Sequence, residues 1–202
     1  MSSTEKTFAK KKYVFAPKLI DGPLLEVAYQ YALMRSRNND MKQDGDVQVP
    51  GTPVAHGDRL METLLEYLRP QVEKITGKKL LPTYTCFRVY QQGDSLARHK
   101  DREACEISMT VTLGFDADKP WPLRVGNGKL FNTSVDMQPG DAVIYRGCEL
   151  DHWRDEFSGK HHAQVFLHYV DADGPYTDWI YNKRPGGLGT FEGEGGDVYP
   201  YQ

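Results

Sequence analysis

The chain has 202 residues, of which 39% are hydrophobic and 26% are charged, a composition typical of a globular protein rather than a disordered one. This length fits a single domain, residues 1–202, with a core of ordinary size. The formal net charge of −3 argues against a broad nucleic-acid-binding or membrane-binding surface, and no apolar run approaches the roughly 20 residues that a membrane span needs. The N-terminus lacks the apolar core of a secretory signal, and the three cysteines are predicted to be reduced thiols, so we expect a cytoplasmic protein.

The N-terminal part of the chain predicts helices that support a core, at about residues 17–77. Asp21 precedes a Gly-Pro pair and a run of apolar residues at helical spacing, which indicates a helix start. A second helix is predicted to begin at Asp58 and to end at Gly77, with a kink or an interruption at Pro70. Residues 35–57, between the two helices, are polar and contain Gly and Pro turns. They predict a long loop, which in a compact domain is usually functional or mobile.

After this region the pattern changes to strands, which predict a β core at about residues 80–172. Alternating apolar and polar residues, β-branched residues and Gly or Pro turns mark strands at residues 83–91, 106–113, 142–145 and 163–170, with one or two more within 121–136. Helices followed by short strands are typical of an α+β chain that ends in a barrel or a two-sheet jelly roll. Residues 173–202 are rich in Gly and Tyr and predict a tail that lies over the core or is partly loose.

Three residues form a candidate metal site. His99 and Asp101 are two positions apart, so in an extended segment both side chains point the same way. His152 follows a Pro-Gly-Asp turn and a predicted strand, at a position from which it can face that pair across the mouth of a barrel. Two histidines and one carboxylate form a facial triad that leaves three coordination positions of Fe(II) open, although the same ligands also suit Zn or Mn. We expect His161 and His168 to be structural, and His56 to face solvent in the long loop.

From about residue 83 to residue 171 the chain resembles the 2-oxoglutarate/Fe(II) oxygenases, and most closely the prolyl 4-hydroxylase branch. Three stretches carry the resemblance: RVYQQGD at residues 88–94 leading to the His-Lys-Asp triplet, PGDAVIYRG at 139–147 leading to His152, and Gly159-Lys160 leading into QVFLH at 164–168. The resemblance implies a double-stranded β-helix, or jelly-roll, core with the N-terminal helices packed on the outside.

The resemblance also implies roles for individual residues. His99, Asp101 and His152 would bind Fe(II). A basic residue after the second histidine would bind the distal carboxylate of 2-oxoglutarate, and Lys160 fits this role at a spacing slightly shorter than the family's. His162 stands at the longer spacing and, by strand parity, on the same face, so it is the alternative. Tyr90 would contact 2-oxoglutarate through its hydroxyl, or else it is an aromatic residue that fills a half-buried strand.

The activity implied by the resemblance is hydroxylation of an unactivated C–H bond with O2 and 2-oxoglutarate, releasing succinate and CO2, with ascorbate as a possible further cofactor. A prolyl residue in a peptide or protein is the expected target. The alternatives are a free amino acid or small metabolite as substrate, or a jelly-roll protein that binds metal without turnover. A long mobile loop over the site would favour an extended peptide, whereas a closed small cavity would favour a metabolite. Nucleic-acid and membrane partners are not expected.

Overall fold

The structure, a computed structural model, describes residues 1–128 and 132–189. Two antiparallel sheets face each other, one of six strands in the order β1-β8-β5-β10-β3-β2 and one of four in the order β4-β9-β6-β7. This is the predicted α+β fold with a double-stranded β-helix core. The helices are α1 (Ser3–Lys11), α2 (Gly22–Arg37) and α3 (Arg59–Thr76). The strands are β1 (Tyr13–Ala16), β2 (Val54–His56), β3 (Leu80–Gln91), β4 (Leu96–His99), β5 (Ile107–Asp116), β6 (Leu123–Gly126), β7 (Asn132–Val135), β8 (Ala142–Tyr145), β9 (Asp151–Arg154) and β10 (His161–Asp171).

The two predicted helices are present, and a third precedes them. Helix α3 begins after Asp58, whose carboxylate accepts hydrogen bonds from the first free backbone N–H groups, and it ends at Gly77 with a φ of 70°. Pro70 lies inside α3, and the helix continues past it to Thr76 without the interruption that was one of the two predicted effects. Helix α1 was not predicted from the sequence. Ser2 and Glu5 start it with a capping box, a signal that was visible in the residues.

The main hydrophobic core lies between the helices and the outer face of the six-stranded sheet. The alternation predicted for β5 is present: Ile107 and Met109 are buried in this core, whereas Ser108 and Thr110 on the same strand point between the two sheets. Helix α3 contributes Leu65 and its apolar neighbours to the same core. The helices therefore support one sheet from outside and leave its inner face for polar and aromatic side chains.

The segment after β10 packs against the domain as far as it is described. A short 3-10 helix, Thr177–Lys183, leads to Arg184, whose guanidinium forms a fully buried ion pair with Glu62 of α3. The part of the predicted tail at residues 190–202 lies outside the described residues, as do residues 129–131 between β6 and β7. Within the described ranges, the helices are too short or too polar to cross a bilayer.

Candidate metal centre

His99 and His152 face each other across two neighbouring strands. They are directly paired in the antiparallel ladder of β4 and β9, and their ring centroids are 4.2 Å apart. Asp101 follows β4 and completes the group, because its Oδ1 lies 3.5 Å from Nε2 of His99 and 3.4 Å from Nε2 of His152. One ligand atom from each residue lies within 4.8 Å of the others. The structure thus brings together the three residues that the sequence singled out as metal ligands.

Backbone carbonyls hold both imidazoles with Nε2 toward Asp101. Nδ1 of His99 lies 2.7 Å from the carbonyl oxygen of Ala97, and Nδ1 of His152 lies 3.2 Å from that of Leu150. Because a carbonyl oxygen only accepts hydrogen bonds, each Nδ1 is the donor, and Nε2 of each imidazole is the atom that can bind a metal ion once it has lost its proton. The carboxylate is oriented as well: Ser108 donates its hydroxyl hydrogen to Oδ2 of Asp101 at 2.9 Å.

Burial and charge act in opposite directions on these ligands. Burial alone would raise the pKa of Asp101, but the nearby His152 charge and the hydrogen bonds from both histidines hold that pKa well below its usual value. Burial would likewise lower the pKa of His99, and its hydrogen bonds with Asp101 and the Ala97 carbonyl outweigh burial and raise it. Asp101 is therefore ionised at neutral pH, as metal coordination requires.

Two further histidines lie beside the triad, and the structure corrects the prediction for one of them, His56. His168 was expected to be structural, and it lines the cavity with Nδ1 2.9 Å from the Ser108 hydroxyl. Burial lowers its pKa to about 4, so it is neutral at pH 7. His56 was expected to face solvent, but it lies on β2 and lines the same cavity, and burial lowers its pKa to about 3. Both histidines shape the cavity without adding charge.

A cavity of about 530 Å³ opens beside the triad, a volume within the usual range for small-molecule sites. A segment that we call the cover segment, residues 38–53, contributes Lys42, Asp46 and Gln48 to its wall. Three attachments hold the cover segment down: the Asp46–Arg88 ion pair, a 3.0 Å bond from the Ala97 N–H to the Gln48 carbonyl, and mutual backbone bonds between Lys42 and Val54. The predicted loop is thus hydrogen-bonded over the cavity.

The interior behind the cavity holds a buried cation. Arg154 lies two residues after His152 on β9, is 1% exposed and has no carboxylate partner among residues 1–128 and 132–189. Its Nη1 donates to the Trp121 carbonyl, and its Nε has no hydrogen-bond partner in that part of the chain. Burial lowers its pKa to about 10, so the guanidinium stays charged at neutral pH.

Tyr90 and His162 share this interior. Tyr90 lines the cavity and is fully buried, and its hydroxyl has no partner within the described structure. The charges of both Arg88 and Arg154 act on that hydroxyl, although burial is stronger and raises its pKa to about 12. His162 donates Nε2–H to the Gln164 side-chain oxygen at 2.7 Å, and burial lowers its pKa to about 3. His162 is therefore neutral, with its single N–H already used.

The structure does not bring Lys160 to the cavity. Its side chain is 80% exposed and pairs with Asp116 at 3.0 Å on the outside of the barrel. Lys160 precedes β10, so the strand parity that the sequence suggested does not extend to it. Arg154 was not predicted from the sequence, although its spacing of two residues from His152 was a usable signal, because residues i and i+2 of a strand share a face.

No family model and no curated protein matches this sequence. Solved structures resemble it in fold. A prolyl-4-hydroxylase from Pseudomonas putida has a TM-score of 0.67 and 14% identity, covering 84% of this chain and 97% of its own. The epimerase SnoN, in complex with Fe3+, alpha-ketoglutarate and nogalamycin RO, has a TM-score of 0.72 and 13% identity, covering 96% and 91%. A prolyl hydroxylase from Trichoplax adhaerens, in complex with a peptide fragment of hypoxia inducible factor, has a TM-score of 0.67 and 13% identity, covering 83% and 87%.

Proposed function

From the fold that this chain shares with the 2-oxoglutarate- and Fe(II)-dependent oxygenases, we propose that it is itself such a dioxygenase. The observation that carries the proposal is the convergence of His99, Asp101 and His152 beside a cavity of about 530 Å³. Two imidazoles and one carboxylate leave half of an octahedral coordination sphere free, which suits a metal that must also bind a cosubstrate and O2.

The side chains of the site are of the types that bind Fe(II), and neighbouring groups orient them. His99 and His152 can bind it through Nε2 because their Nδ1–H groups are held by carbonyls, and Asp101 is kept ionised and oriented by Ser108. When bound, Fe(II) and 2-oxoglutarate would supply the O2-dependent oxidation of a C–H bond, with release of succinate and CO2. The protein positions the reactants and keeps water away from them, which the cover segment favours.

We propose that Arg154 and Tyr90 bind the distal carboxylate of 2-oxoglutarate. A fully buried guanidinium without a carboxylate partner is costly, and an anion that enters from the cavity would offset that cost. The unpartnered Tyr90 hydroxyl can donate to the same carboxylate. His162 is a weaker choice because it is neutral and its N–H is bonded to Gln164, and Lys160 is on the outer surface.

The cover segment favours a small substrate over an extended peptide. Its three attachments close the cavity from one side, so the cover segment itself is not a loose loop that could wrap a peptide chain. We therefore place a free amino acid or another small metabolite ahead of a prolyl residue in a protein. The prolyl residue stays the second candidate, supported by the resemblance to prolyl hydroxylases, one of which is in complex with a peptide fragment. Ascorbate dependence and a cytoplasmic location remain predictions from the sequence.

The cofactor pair can be tested without the substrate. Fe(II) and 2-oxoglutarate are added to the protein without oxygen, and the visible spectrum is recorded. We expect a weak metal-to-ligand charge-transfer band that is absent in His152→Ala. Measured iron binding without such a band would contradict the proposal and favour a jelly-roll protein that binds metal without turnover.

Binding of the distal carboxylate of 2-oxoglutarate by Arg154, which we call the anchor, can be tested in the same assay. Arg154→Gln should raise the Kd for 2-oxoglutarate roughly 10- to 100-fold, since hydrogen bonds to charged groups contribute about 1.5–3 kcal/mol. The Kd for 2-oxobutyrate, which lacks the distal carboxylate, should be nearly the same in Arg154→Gln and in the wild-type protein. Lys160→Gln is the matched control and should leave both affinities unchanged. A larger effect of Lys160→Gln than of Arg154→Gln would restore the anchor predicted from the sequence.

A further inference from the structure

A second buried guanidinium lies in the cavity wall. Arg88 of β3 has a side chain that is 4% exposed, and it lines the cavity beneath the cover segment. Its Nη2 bonds to Asp46, whereas Nε and Nη1 have no hydrogen-bond partner among the described residues. Buried N–H groups without partners are rare in folded proteins, and each lowers stability unless a ligand completes it.

The position of Arg88 separates it from the proposed 2-oxoglutarate anchor. Arg88 is paired with Val54 of β2 in the ladder, and its charge acts on His56 and Asp46 at the side of the cover segment. Arg154 instead lies on the opposite sheet, where Trp121 and Met137 surround it. The Tyr90 hydroxyl lies within the charge influence of both guanidinium groups. The two buried guanidinium groups thus lie apart, with Arg88 on the side of the cover segment and Arg154 behind the inner wall of the cavity.

The charges around the cavity favour an anionic ligand. Four cationic side chains line it, those of Lys42, Arg88, Lys100 and Arg102, against the two carboxylates of Asp46 and Asp101. Asp101 is committed to the metal in the proposed function, which leaves Asp46 as the only lining carboxylate in the described structure to offset them. A carboxylate is the anion whose planar shape matches a guanidinium best.

We propose that Arg88 determines specificity by binding a carboxylate group of the organic substrate, and that the substrate is a small carboxylic acid such as a free amino acid. This inference rests on the proposed function and names the substrate class for the same site. Arg88 would share its guanidinium between the substrate and Asp46, so that binding of the acid strengthens the attachment of the cover segment. The substrate is then held between the metal and the cover segment.

The first test compares acids with their neutral counterparts. The Fe(II) protein is supplied with 2-oxoglutarate and O2, and succinate formation is measured with each free L-amino acid, with a set of C3–C6 carboxylic acids, and with the carboxamide of each. We expect at least one acid to stimulate succinate formation, with a KM at least 10-fold lower than that of its carboxamide. Equal stimulation by acid and carboxamide, stimulation only by a proline-containing peptide amide, or no stimulation by any acid would overturn the proposal.

The second test uses variants of the same protein. Arg88→Gln should raise the KM of the stimulating acid at least 10-fold and abolish the preference over the carboxamide, whereas Arg88→Lys should recover part of it. The matched control is Arg124→Gln, which removes the same charge from an exposed pair with Asp155 outside the cavity. Circular dichroism of each variant verifies folding, and the comparison of acid with carboxamide needs no variant at all.

The charge-transfer band separates the two proposals. If Arg88→Gln raises the Kd for 2-oxoglutarate as much as Arg154→Gln does, Arg88 is part of the cosubstrate anchor and the inference fails while the proposed function stands. If the original chain shows no band, the proposed function fails first. We expect the Kd for 2-oxoglutarate to change less than about 3-fold in Arg88→Gln, a change of under about 1 kcal/mol.

Discussion

Gly147 and Asp101 lie so close together that a methyl group on Gly147 would come within 2.4 Å of Oδ2 of Asp101. The same methyl group would lie 2.3 Å from the Cys105 carbonyl oxygen, and the Asp101 N–H donates to the Gly147 carbonyl at 2.9 Å. Glycine is therefore required here because Asp101, the proposed metal ligand, closely approaches the backbone after β8. From the sequence, Gly147 was only the last residue of the stretch 139–147 that leads to His152, whereas the structure places it against Asp101 of the candidate metal site.

Gly147→Ala should weaken metal binding by displacing Asp101. Because backbone and carboxylate must both move to admit the methyl group, we expect the affinity for Fe(II) to fall at least 10-fold, or by about 1.4 kcal/mol or more. Anaerobic titration calorimetry measures this directly. Gly114→Ala is the control, since its methyl group would meet the Tyr29 ring at 2.7 Å, away from the metal. Equal affinity losses in the two folded variants would contradict a specific role for Gly147.

Ser108→Ala should reduce metal affinity without removing a ligand. The hydroxyl donates to Oδ2 of Asp101 and contacts His168, so its loss leaves the carboxylate less oriented. Loss of such an outer hydrogen bond typically costs roughly 10- to 100-fold in metal affinity. Thr85→Val removes a buried hydroxyl that has no partner in the described structure, and it should leave Fe(II) affinity unchanged. An unchanged affinity in Ser108→Ala would mean that Asp101 needs no such support.

The residues that sequence reasoning placed correctly are those whose positions follow from strand periodicity. His99 and Asp101 share a face because they are two residues apart, and the alternation in β5 separates Ile107 from Ser108 for the same reason. Each of these inferences needs only local geometry. The pairing of His152 with His99 is a longer-range relation, and the resemblance to a known family is what supported it from the sequence.

The residues that were placed differently depend on tertiary partners. Lys160 has the charge and the position in the chain that the resemblance calls for. It stands just before β10, however, and its side chain pairs with Asp116 on the outside of the barrel. From the sequence alone, Arg88 and Arg154 cannot be distinguished from ordinary charged residues of strands. Only the packing of the two sheets shows that both are buried and incompletely bonded. Periodicity predicts the face of a strand, whereas burial of a charge depends on what covers that face.

The buried pair of Glu62 and Arg184 should matter more for stability than an exposed ion pair. Both side chains are 1% exposed or less, and the Gly189 N–H also donates to Glu62. Glu62→Gln removes the carboxylate charge that pairs with this buried guanidinium, so we expect the free energy of unfolding to fall by about 3–5 kcal/mol. Urea denaturation measures it. Glu66→Gln, which breaks the exposed pair with Arg69, is the control and should cost about 1 kcal/mol or less.

The opposite result would change the interpretation of the C-terminal segment. If Glu62→Gln costs no more than Glu66→Gln, the segment after β10 contributes little to the stability of the domain. A double variant with apolar residues, Glu62→Leu with Arg184→Met, separates the charge from the packing. It should be more stable than Glu62→Gln, because both charges of the buried pair are then removed together.

His162 should make the protein less stable as the pH falls. Burial among Phe115, Trp121 and Phe157, with the Arg154 charge nearby, lowers its pKa from 6.5 to about 3 in the folded state. Between these two values the unfolded chain binds a proton that the folded chain does not, so the contribution of this group is complete above pH 6.5 and is lost as the pH falls toward 3. At pH 5 the loss is about 2 kcal/mol.

His162→Gln tests this contribution because it removes the titrating group and can keep a polar contact with Gln164. The free energy of unfolding of both proteins is measured by urea denaturation from pH 7 to pH 5. Because His56 and His168 titrate in both proteins, their contributions cancel in the difference. The wild-type protein should lose about 2 kcal/mol more than the variant over this range. Parallel pH curves would mean that His162 takes up its proton in the folded state, and that the interior around Arg154 is open to water.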